Sequence, residues 1–581
     1  MVRESNNNAW EGQPAEFADG LVGLSGPKLR FRRSSGRSPL QPRDSGGLSG
    51  SQADDAPNRP PVNLLTAVRN KAINSWFPCS RSPRGPAIPT AGGDWNGVES
   101  TITRLSTPVP GDNLMPASPA NTRSAKPSAL LLGVCGAGMR SLAELLSDEG
   151  WQLWGTDRAA TPADREWLQS RSIAWLRLEE VGSLARPGRE VIFSPSIPEE
   201  EPHRVAARKA GFPQRSLTEF LGQLMRGRRT VCVAGTHGKS TTTALVGWVL
   251  QQAGLNPAVF LGAQLQGSGR SGWSGGGELL VAESCEYRGH FLDYSPRWAC
   301  LLSVEPDHFD CFPDRESGLQ VFAQFAAQVP REGGLIIDSL VGSAADWSGG
   351  GTRRVTVSGL EPGCDWRAFD LVEGGAQSEF SVWAEGRLWG RVRLPLPGRH
   401  NVRNSLAALA LCAEVGVTAD RACEAIATFP GLHRRFEVLG TWGGVTHVDD
   451  YAHHPTAVAS TVAAARAVFP GRRLVVVFQP HQASRTEALF DDFAHALAAA
   501  EECHIAPVFT AREQLDCGAA TEVSARLARR VSERGGRGFL LPNLDPFPAT
   551  LDDSLQPGDV LLVMGAGDIH RLHHVRTRRF L

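Results

Sequence analysis

The sequence predicts an α/β protein with mostly parallel sheets, extending from about residue 130 to the end of the chain. Two observations predict this class. Short apolar runs alternate with stretches of helical periodicity, and several runs are followed directly by a glycine-rich turn. Strands that are apolar on both faces are typical of parallel sheets covered by helices on each side. The runs lie at residues 130–134, 191–193, 231–234, 279–282, 300–304, 474–478 and 559–564.

Length and composition divide the chain into a tail and a folded part. Residues 1–127 are rich in Ser, Pro, Gly, Asn and Arg without apolar periodicity, so we predict a disordered low-complexity extension. Met115 lies just before the first strand, which leaves open that translation starts there and that the tail is a gene-model artefact. At about 150 residues per domain, the chain is long enough for three or four units. We place domains at 128–225, 226–430 and 431–581.

Composition argues against several classes of protein. The formal net charge is −1, which gives no reason to expect nucleic acid or an acidic membrane as partner. The eleven cysteines are scattered, which favours free thiols over a disulfide framework or a zinc site. The first residues carry no apolar signal segment, and no stretch reaches the ~18 apolar residues of a membrane span. We therefore expect a cytoplasmic protein.

A phosphate-binding loop is predicted after the apolar run at 231–234. Its glycines let backbone N–H groups face phosphate oxygens, and the following helix adds partial positive charge at its N-terminus. Lys239 would reach the β- and γ-phosphates, and the Ser240 hydroxyl would contact Mg²⁺. The spacing departs from the general P-loop, because Val233 stands where a glycine is expected. The candidate residues are Gly235, Thr236, His237, Gly238, Lys239, Ser240 and Thr241, with a helix expected from Thr242 to about Gln252.

Glu283 and His308 follow two later apolar runs. Ligands of an open parallel sheet bind outside the carboxyl ends of its strands, so both side chains are expected near Lys239. A carboxylate suits Mg²⁺, whereas histidine is an unusual ligand for that ion.

A glycine turn and two polar segments complete the set of candidates. The turn at 133–138, with Asp157 beyond it, resembles a dinucleotide fingerprint whose second glycine is replaced by Cys135. Two hypotheses fit the turn: it binds a nucleotide-sugar diphosphate, or it binds the cofactor of a dehydrogenase. The dehydrogenase hypothesis leaves the loop at 235–241 unexplained. The segments at 449–455 and 478–486 concentrate His, Asp and Arg, for which substrate and nucleotide contacts are favoured over a metal.

These motifs, in this order, resemble those of the Mur ligase family. The resemblance rests on Gly-Thr-His-Gly-Lys-Ser-Thr at 235–241, Glu283, Asp307 with His308, and the segments at 398–404, 434–436 and 449–455. It covers everything after the tail. It implies a Rossmann-like UDP-sugar domain, a central P-loop ATPase-like domain, and a Rossmann-like C-terminal domain for the amino acid and nucleotide. The implied activity is ATP-dependent addition of L-alanine to UDP-N-acetylmuramate through an acyl phosphate, in peptidoglycan biosynthesis.

The resemblance also implies roles for individual residues. Lys239 stabilises the moving γ-phosphate, and Ser240, Glu283 and His308 hold Mg²⁺. His454 and Arg485 lie near the amino acid and the reacting carboxylate. The remaining contacts are Asn401, Arg435 and Asp450 for the nucleotide, and Gly133, Gly136, Gly138, Asp157 and His481 for the other substrates.

Two departures from the family pattern leave the amine open. Ser-Cys-Glu-Tyr-Arg follows Glu283 where an acidic run is typical, and Gln482 stands where arginine is common. L-alanine is the default, with glycine and L-serine as alternatives. Two other hypotheses stand beside this one: a recycling ligase that joins a tripeptide to the same UDP-sugar, and a catalytically idle nucleotide-binding protein on the same fold.

Overall fold

Three separate β-sheets, each flanked by helices, form the described part of the chain. The computed structural model describes residues 126–312, 314–349, 354–511, 513–545 and 547–577. The predicted tail up to residue 125 and the alternative start at Met115 lie outside these ranges. The sheets fall within 128–216, 229–394 and 437–564, which confirms the α/β class. The domain boundaries themselves stay predictions.

The first sheet has five parallel strands in the order β3-β2-β1-β4-β5. Every residue of β1 is buried, as expected for a strand covered on both faces. Its strands are β1 (Ser128–Leu132), β2 (Gln152–Thr156), β3 (Ala174–Trp175), β4 (Glu190–Phe193) and β5 (Gln214–Ser216). Its helices are α1 (Ala137–Asp148), α2 (Pro162–Ser170), α3 (Pro202–Lys209) and α4 (Leu217–Met225), with short 3₁₀ turns at Leu178–Glu180 and Gly182–Leu184.

The second sheet has ten strands in the order β15-β14-β13-β12-β11-β10-β6-β9-β7-β8. Its centre is parallel, whereas β13 to β15 and the β7–β8 pair are antiparallel. The strands are β6 (Arg229–Ala234), β7 (Ala258–Phe260), β8 (Gly272–Ser274), β9 (Leu279–Glu283), β10 (Trp298–Leu301), β11 (Gly334–Asp338), β12 (Arg354–Gly359), β13 (Trp366–Gly374), β14 (Gln377–Ala384) and β15 (Arg387–Leu394). The helices are α5 (Lys239–Gln252), α6 (Arg315–Ala327), α7 (Ala344–Trp347), α8 (Arg399–Val415) and α9 (Ala419–Ile426), with a 3₁₀ segment at Tyr287–Asp293.

The third sheet has six strands in the order β16-β17-β21-β18-β19-β20. All neighbours are parallel except β16, which runs antiparallel to β17 at one edge. The strands are β16 (Glu437–Trp442), β17 (Val445–Asp450), β18 (Leu474–Phe478), β19 (Glu502–Ile505), β20 (Gly538–Leu540) and β21 (Val560–Met564). The helices are α10 (Pro455–Val468), α11 (Ala483–Ala488), α12 (Phe490–Leu497), α13 (Cys517–Glu533), α14 (Ala549–Ser554) and α15 (Arg571–Thr577).

A polar seam joins α1 of the first sheet to the edge of the second. The carboxylate of Glu144, 1% exposed, accepts hydrogen bonds from the backbone N–H groups of Ser271 at 2.8 Å and Gly272 at 3.0 Å. Ser141 Oγ donates to the Ser271 carbonyl at 2.8 Å and accepts from the Leu261 N–H at 3.0 Å. A Cβ on Gly272 would lie 2.0 Å from the Ser141 carbonyl oxygen, so only glycine allows this approach. One apolar cluster continues from α1 and α4 into the second sheet.

Several sequence expectations are refined by the structure. The helix after the phosphate loop begins at Lys239 rather than Thr242, because the Thr242 N–H already donates to the Gly238 carbonyl. Glu283 is the last residue of β9 rather than the residue after it. The ten cysteines in the described ranges are free, as their spacing predicted. No helix in the described ranges is long and apolar enough to cross a membrane.

Candidate active site

The phosphate loop joins β6 to α5 at the carboxyl end of the second sheet. Gly235 and Gly238 have φ values of 138° and 80°, in the region that favours glycine. A Cβ on Gly235 would lie 2.9 Å from the backbone nitrogen of Ser303, and one on Gly238 would lie 2.2 Å from Asn404 Oδ1. Both positions therefore require glycine, for conformation and for space. The N–H groups of Thr236 and His237 donate to Ser303, so the N–H groups of the first turn of α5 are the ones that suit an anionic ligand.

Lys239 is held by an acidic partner that the sequence analysis did not single out. Its Nζ donates to both carboxylate oxygens of Glu286, at 2.8 and 3.1 Å, and to the carbonyls of Gly235 and Thr236. Burial opposes the charge of Lys239, but Glu286 outweighs burial and raises the lysine pKa. The Lys239 side chain is therefore a positively charged ammonium group at the phosphate loop. The signal for Glu286 was its position three residues after Glu283, within the segment regarded as a departure.

Glu283 and Ser240 meet beside the loop, as their positions after neighbouring strands predicted. β6 and β9 pair in parallel, with Val233 opposite Glu283. Ser240 Oγ donates to Glu283 Oε1 at 3.0 Å, and the Gly262 N–H donates to Oε2 at 2.7 Å. Arg435, from the segment before the third sheet, donates to Ser240 Oγ at 3.3 Å. Two oxygen donors thus face one corner of the phosphate loop.

His308 lies beside Glu286. Its Nε2 is 3.9 Å from Glu286 Oε1, and its ring contacts Tyr287 edge-on with the centroids 5.1 Å apart. Burial lowers the pKa of His308 and outweighs the opposite effects of Asp307 and Glu286. Its backbone is left-handed, with φ 53°, which is uncommon outside glycine. The imidazole is thus directed toward the ion pair of Lys239.

A buried ion pair links the second and third sheets. Arg485 Nε donates to Asp307 Oδ1 at 2.6 Å, and the two side chains are only 2% and 8% exposed. Burial favours the neutral carboxyl, but Arg485 holds the pKa of Asp307 well below its usual range. Arg485 Nη1 also donates to the backbone carbonyl of His481 and lies 3.1 Å from the Nδ1 atom of the same residue. The His481 ring stacks on Phe509.

His453 and His454 point to different partners, as expected for neighbours on an extended segment. His453 packs edge-on against His481, whereas His454 lies against His237 with ring centroids 4.6 Å apart. His454 Nδ1 is 3.7 Å from Glu305 Oε2, and His237 Nε2 is 3.6 Å from the same oxygen. Burial lowers the pKa of His454 to about 4, so its imidazole is uncharged at neutral pH.

Two of the predicted nucleotide contacts are occupied by internal hydrogen bonds. Asn401 is 6% exposed, and its Nδ2 donates to the Pro397 carbonyl at 2.7 Å. The carboxylate of Asp450 accepts from the backbone N–H groups of Phe436 and Ala452, each at 2.7 Å. In this arrangement both side chains shape the surrounding backbone, whereas Arg435 reaches the phosphate loop directly.

The glycine turn lies at the start of α1. Gly133 has φ 78°, and a Cβ on Gly138 would lie 2.9 Å from the side chain of Leu217. Gly136 is the N-cap residue of α1, immediately before the helix begins. Asp157 accepts from the Cys135 N–H at 3.0 Å and therefore fixes the turn. A helix N-terminus with a glycine turn suits an anionic ligand.

Gln482 lies at the start of α11, beside Arg485. It is 6% exposed with φ 69°, and its N–H donates to the Phe509 carbonyl at 2.9 Å. The predicted departure from arginine thus falls on a buried, left-handed residue of the loop that carries His481 and Arg485.

Three family models match the chain in the order of its three sheets. They are described as the Mur ligase family catalytic domain, at residues 131–229, the Mur ligase middle domain, at 233–412, and the Mur ligase glutamate ligase domain, at 434–567. An α/β fold with a phosphate loop at the carboxyl end of the central sheet agrees with these matches. The chain belongs to the Mur ligase family.

Individual members of the family are similar to this chain over most of its length. The chain is 34% identical over 449 residues to the UDP-N-acetylmuramate–L-alanine ligase of Desulfitobacterium hafniense, which covers 76% of this chain and 97% of that protein. The crystal structure of the UDP-N-acetylmuramate-alanine ligase from Thermotoga maritima aligns with a TM-score of 0.63 at 23% identity, over 78% of this chain and 99% of that one. A murein peptide ligase from Psychrobacter arcticus aligns with a TM-score of 0.58 at 23% identity, over 78% and 98%. The two structures show the shared fold alone.

Proposed function

We propose that the protein is an ATP-dependent ligase that adds L-alanine to UDP-N-acetylmuramate in peptidoglycan biosynthesis. The observation that carries the proposal is the meeting of Ser240 and Glu283 next to Lys239, because it sets two oxygen donors beside a phosphate cradle. The D. hafniense relative, matched over nearly its whole length, is named for this activity. ATP and Mg²⁺ are the proposed nucleotide and ion.

The donor set fits magnesium, which takes oxygen ligands and is commonly bound by one or two carboxylates plus substrate phosphates. Ser240 and Glu283 would supply the oxygens, and we assign His308 to the same ion from the family resemblance. When bound, the ion neutralises charge on the β- and γ-phosphates. The Gly262 N–H holds the second oxygen of Glu283 and therefore orients the carboxylate toward Ser240.

The first chemical step is phosphoryl transfer. A carboxylate oxygen of the muramyl group attacks the γ-phosphorus of ATP, and the bond from that phosphorus to the β–γ bridging oxygen breaks. ADP departs as the leaving group, and the muramyl carboxylate becomes an acyl phosphate. Positioning and charge neutralisation dominate such a step. Lys239 is already protonated through Glu286, so its charge is available for the γ-phosphate as soon as ATP competes with that carboxylate.

The second step forms the amide. The amine nitrogen attacks the acyl carbon, a tetrahedral intermediate collapses, inorganic phosphate leaves, and the nitrogen loses a proton. We assign His454, Arg485 and His481 to this side of the site. The Arg485–Asp307 pair and the contact of Arg435 with Ser240 hold the third sheet against the phosphate loop, which keeps water from the acyl phosphate.

The remaining assignments follow the three predicted domains. Residues 128–225 would bind the UDP moiety through the turn at 133–138, which Asp157 fixes through the Cys135 N–H. Residues 226–430 would bind ATP through the phosphate loop. Residues 431–581 would supply the amino-acid site and the nucleotide contacts Arg435 and Asp450. The role of Asn401 in adenine recognition would require its bond to Pro397 to open. The predicted cytoplasmic location stays a prediction.

The experiment is ADP release from ATP and UDP-N-acetylmuramate across a panel of amines: L-alanine, glycine, L-serine and a cell-wall tripeptide. L-alanine is expected to give the highest kcat/KM. Release with tripeptide alone would replace the proposal by the recycling ligase. No release with any amine, with ATP still bound, would favour the idle nucleotide-binding protein.

A further inference from the structure

A second group of potential metal ligands lies between the phosphate loop and the third sheet. It consists of His237, Glu305 and His454, whose ligand atoms all lie within 4.8 Å of one another. His237 Nε2 and His454 Nδ1 are 3.6 and 3.7 Å from the same carboxylate oxygen, Glu305 Oε2. In a tetrahedral zinc site with bonds of ~2.0–2.1 Å, neighbouring ligand atoms are about 3.3–3.4 Å apart. Each imidazole nitrogen therefore needs to approach Glu305 Oε2 by only a few tenths of an ångström, and the two nitrogens, which lie within 4.8 Å of one another, would draw together around a shared ion.

The atoms around the group orient it as a metal site requires. His454 Nε2 lies 3.3 Å from the Pro306 carbonyl, so it can carry the proton and leave Nδ1 as the acceptor, where Nδ1 receives a long hydrogen bond of 3.4 Å from the Thr456 N–H beside Glu305. Histidine ligands commonly donate their second N–H to a carbonyl or carboxylate in this way. Thr456 Oγ1 donates to Glu305 Oε2 at 2.6 Å and orients the carboxylate. These contacts hold two of the three candidate ligands in place.

His237 completes the group. Its Nε2 is buried and has no hydrogen-bond partner among the described residues. Its backbone N–H donates to Ser303 Oγ, and Thr236 exchanges two hydrogen bonds with the backbone of Glu305. His237 and Glu305 are therefore held side by side by their main chains. A buried nitrogen without a hydrogen bond, 3.6 Å from a carboxylate oxygen and facing a second imidazole, is a position that an ion would satisfy.

We propose that His237, Glu305 and His454 bind a transition-metal ion of the zinc class, separate from the magnesium position at Ser240 and Glu283. Two imidazoles and one carboxylate suit such ions, with a fourth position left for water or an anion, whereas magnesium prefers oxygen ligands throughout. The ion would tie the phosphate loop to the first residue before α10.

The bound ion would inhibit turnover. His237 lies in the phosphate loop, which must accept and release nucleotide phosphates. His454 immediately precedes α10 of the third sheet, and its ring packs against His237. An ion shared between them would fix the two parts in the arrangement seen here and slow product release. This consequence rests on the proposed ligase function, but the binding of the ion does not.

The test uses the full chain, stripped of metal and kept in excess Mg²⁺ so that the magnesium position is blocked. Calorimetric titration with Zn²⁺ is expected to show one ion per chain, and Co²⁺ is expected to give the visible absorption of a four-coordinate site without a thiolate band. Glu305→Gln should weaken Zn²⁺ binding on the order of 100-fold, and Thr456→Val on the order of tenfold. Glu316→Gln, which removes the same charge at an exposed position of α6, is the matched control and should bind as the unmodified chain does.

Equal Zn²⁺ affinity in the unmodified chain, Glu305→Gln and Thr456→Val would overturn the proposal. A Co²⁺ thiolate band, or no binding in the presence of Mg²⁺, would overturn it as well. The Thr456 variant retains all three ligands, so it keeps the test decisive should the Glu305 variant fold poorly. In a separate assay of ADP release, Zn²⁺ should inhibit the unmodified chain at concentrations that leave Glu305→Gln active. A chain without ligase activity would still report its Zn²⁺ affinity, so the two proposals can fail independently.

Discussion

Gly238 offers a direct measure of how tightly the phosphate loop is packed. Replacing it by alanine introduces two costs. The first is backbone strain at φ 80°, on the order of 1 kcal/mol for a residue with a Cβ. The second is the 2.2 Å approach of the new Cβ to Asn404 Oδ1, for which overpacking costs of about 1–3 kcal/mol are typical. Gly267 has φ 78° with nothing within 4 Å of its would-be Cβ, so Gly267→Ala carries the strain without the contact.

We expect Gly238→Ala to unfold at lower urea concentration than Gly267→Ala, by about 1–3 kcal/mol in the free energy of unfolding. A loop displaced by that contact should also bind ATP at least about tenfold more weakly, since ~1.4 kcal/mol is a factor of ten. Urea unfolding and calorimetry with a non-hydrolysable ATP analogue measure the two effects. Adding Asn404→Ala should recover part of both losses. Equal stability and equal ATP affinity for the two glycine variants would refute the steric argument.

Three further predictions address charge. Lys239→Ala should abolish amide formation while UDP-N-acetylmuramate still binds, as followed by ADP release and calorimetry; turnover retained in this variant would contradict the assigned role. Burial opposes the charge of Glu305, but His237 and Thr456 lower its pKa to about 2. The Glu305 carboxylate should therefore contribute its full stabilisation above the unfolded-state pKa of about 4.3 and lose it as the pH falls toward about 2. In Glu305→Gln the free energy of unfolding should accordingly depend less on pH between these values, and an unchanged pH dependence would count against this role. Arg485→Met leaves the Asp307 carboxylate buried without its partner and should cost ~3–5 kcal/mol in urea unfolding; adding Asp307→Asn should restore most of that loss, and two single losses that simply add would show that the pair is uncoupled.

The parallel sheets and the phosphate loop were accessible from sequence because their signals are local. The run at 474–478 coincides with β18, and the positions of Glu283 and Ser240 followed from the rule that parallel strands end at one edge. The antiparallel ribbon of β13 to β15 was missed because its strands alternate buried and exposed residues rather than forming apolar runs.

The partners of the site residues depended on tertiary structure. Glu286 lies in a segment that departs from the family pattern, and its ion pair with Lys239 arises because the ends of β9 and β6 are adjacent. The inward direction of Asn401 comes from its place on the buried face of α8, where Pro397 offers a carbonyl. The meeting of His237 and His454, 217 positions apart in the chain, required the packing of the third sheet against the second.

The seam between α1 and β8 means that the peptide linking the first two sheets is not what keeps them together. The bonds of Glu144 and Ser141 to 271–272, with the apolar cluster around them, join the two sheets independently of the backbone at 226–228, and Arg228 adds an ion pair with Glu149 at the end of α1. A chain cut by protease in that short connection should therefore migrate as one particle under native conditions and separate only in denaturant. The same segment is accordingly a place where new termini or an inserted module could be introduced without dismantling the nucleotide site.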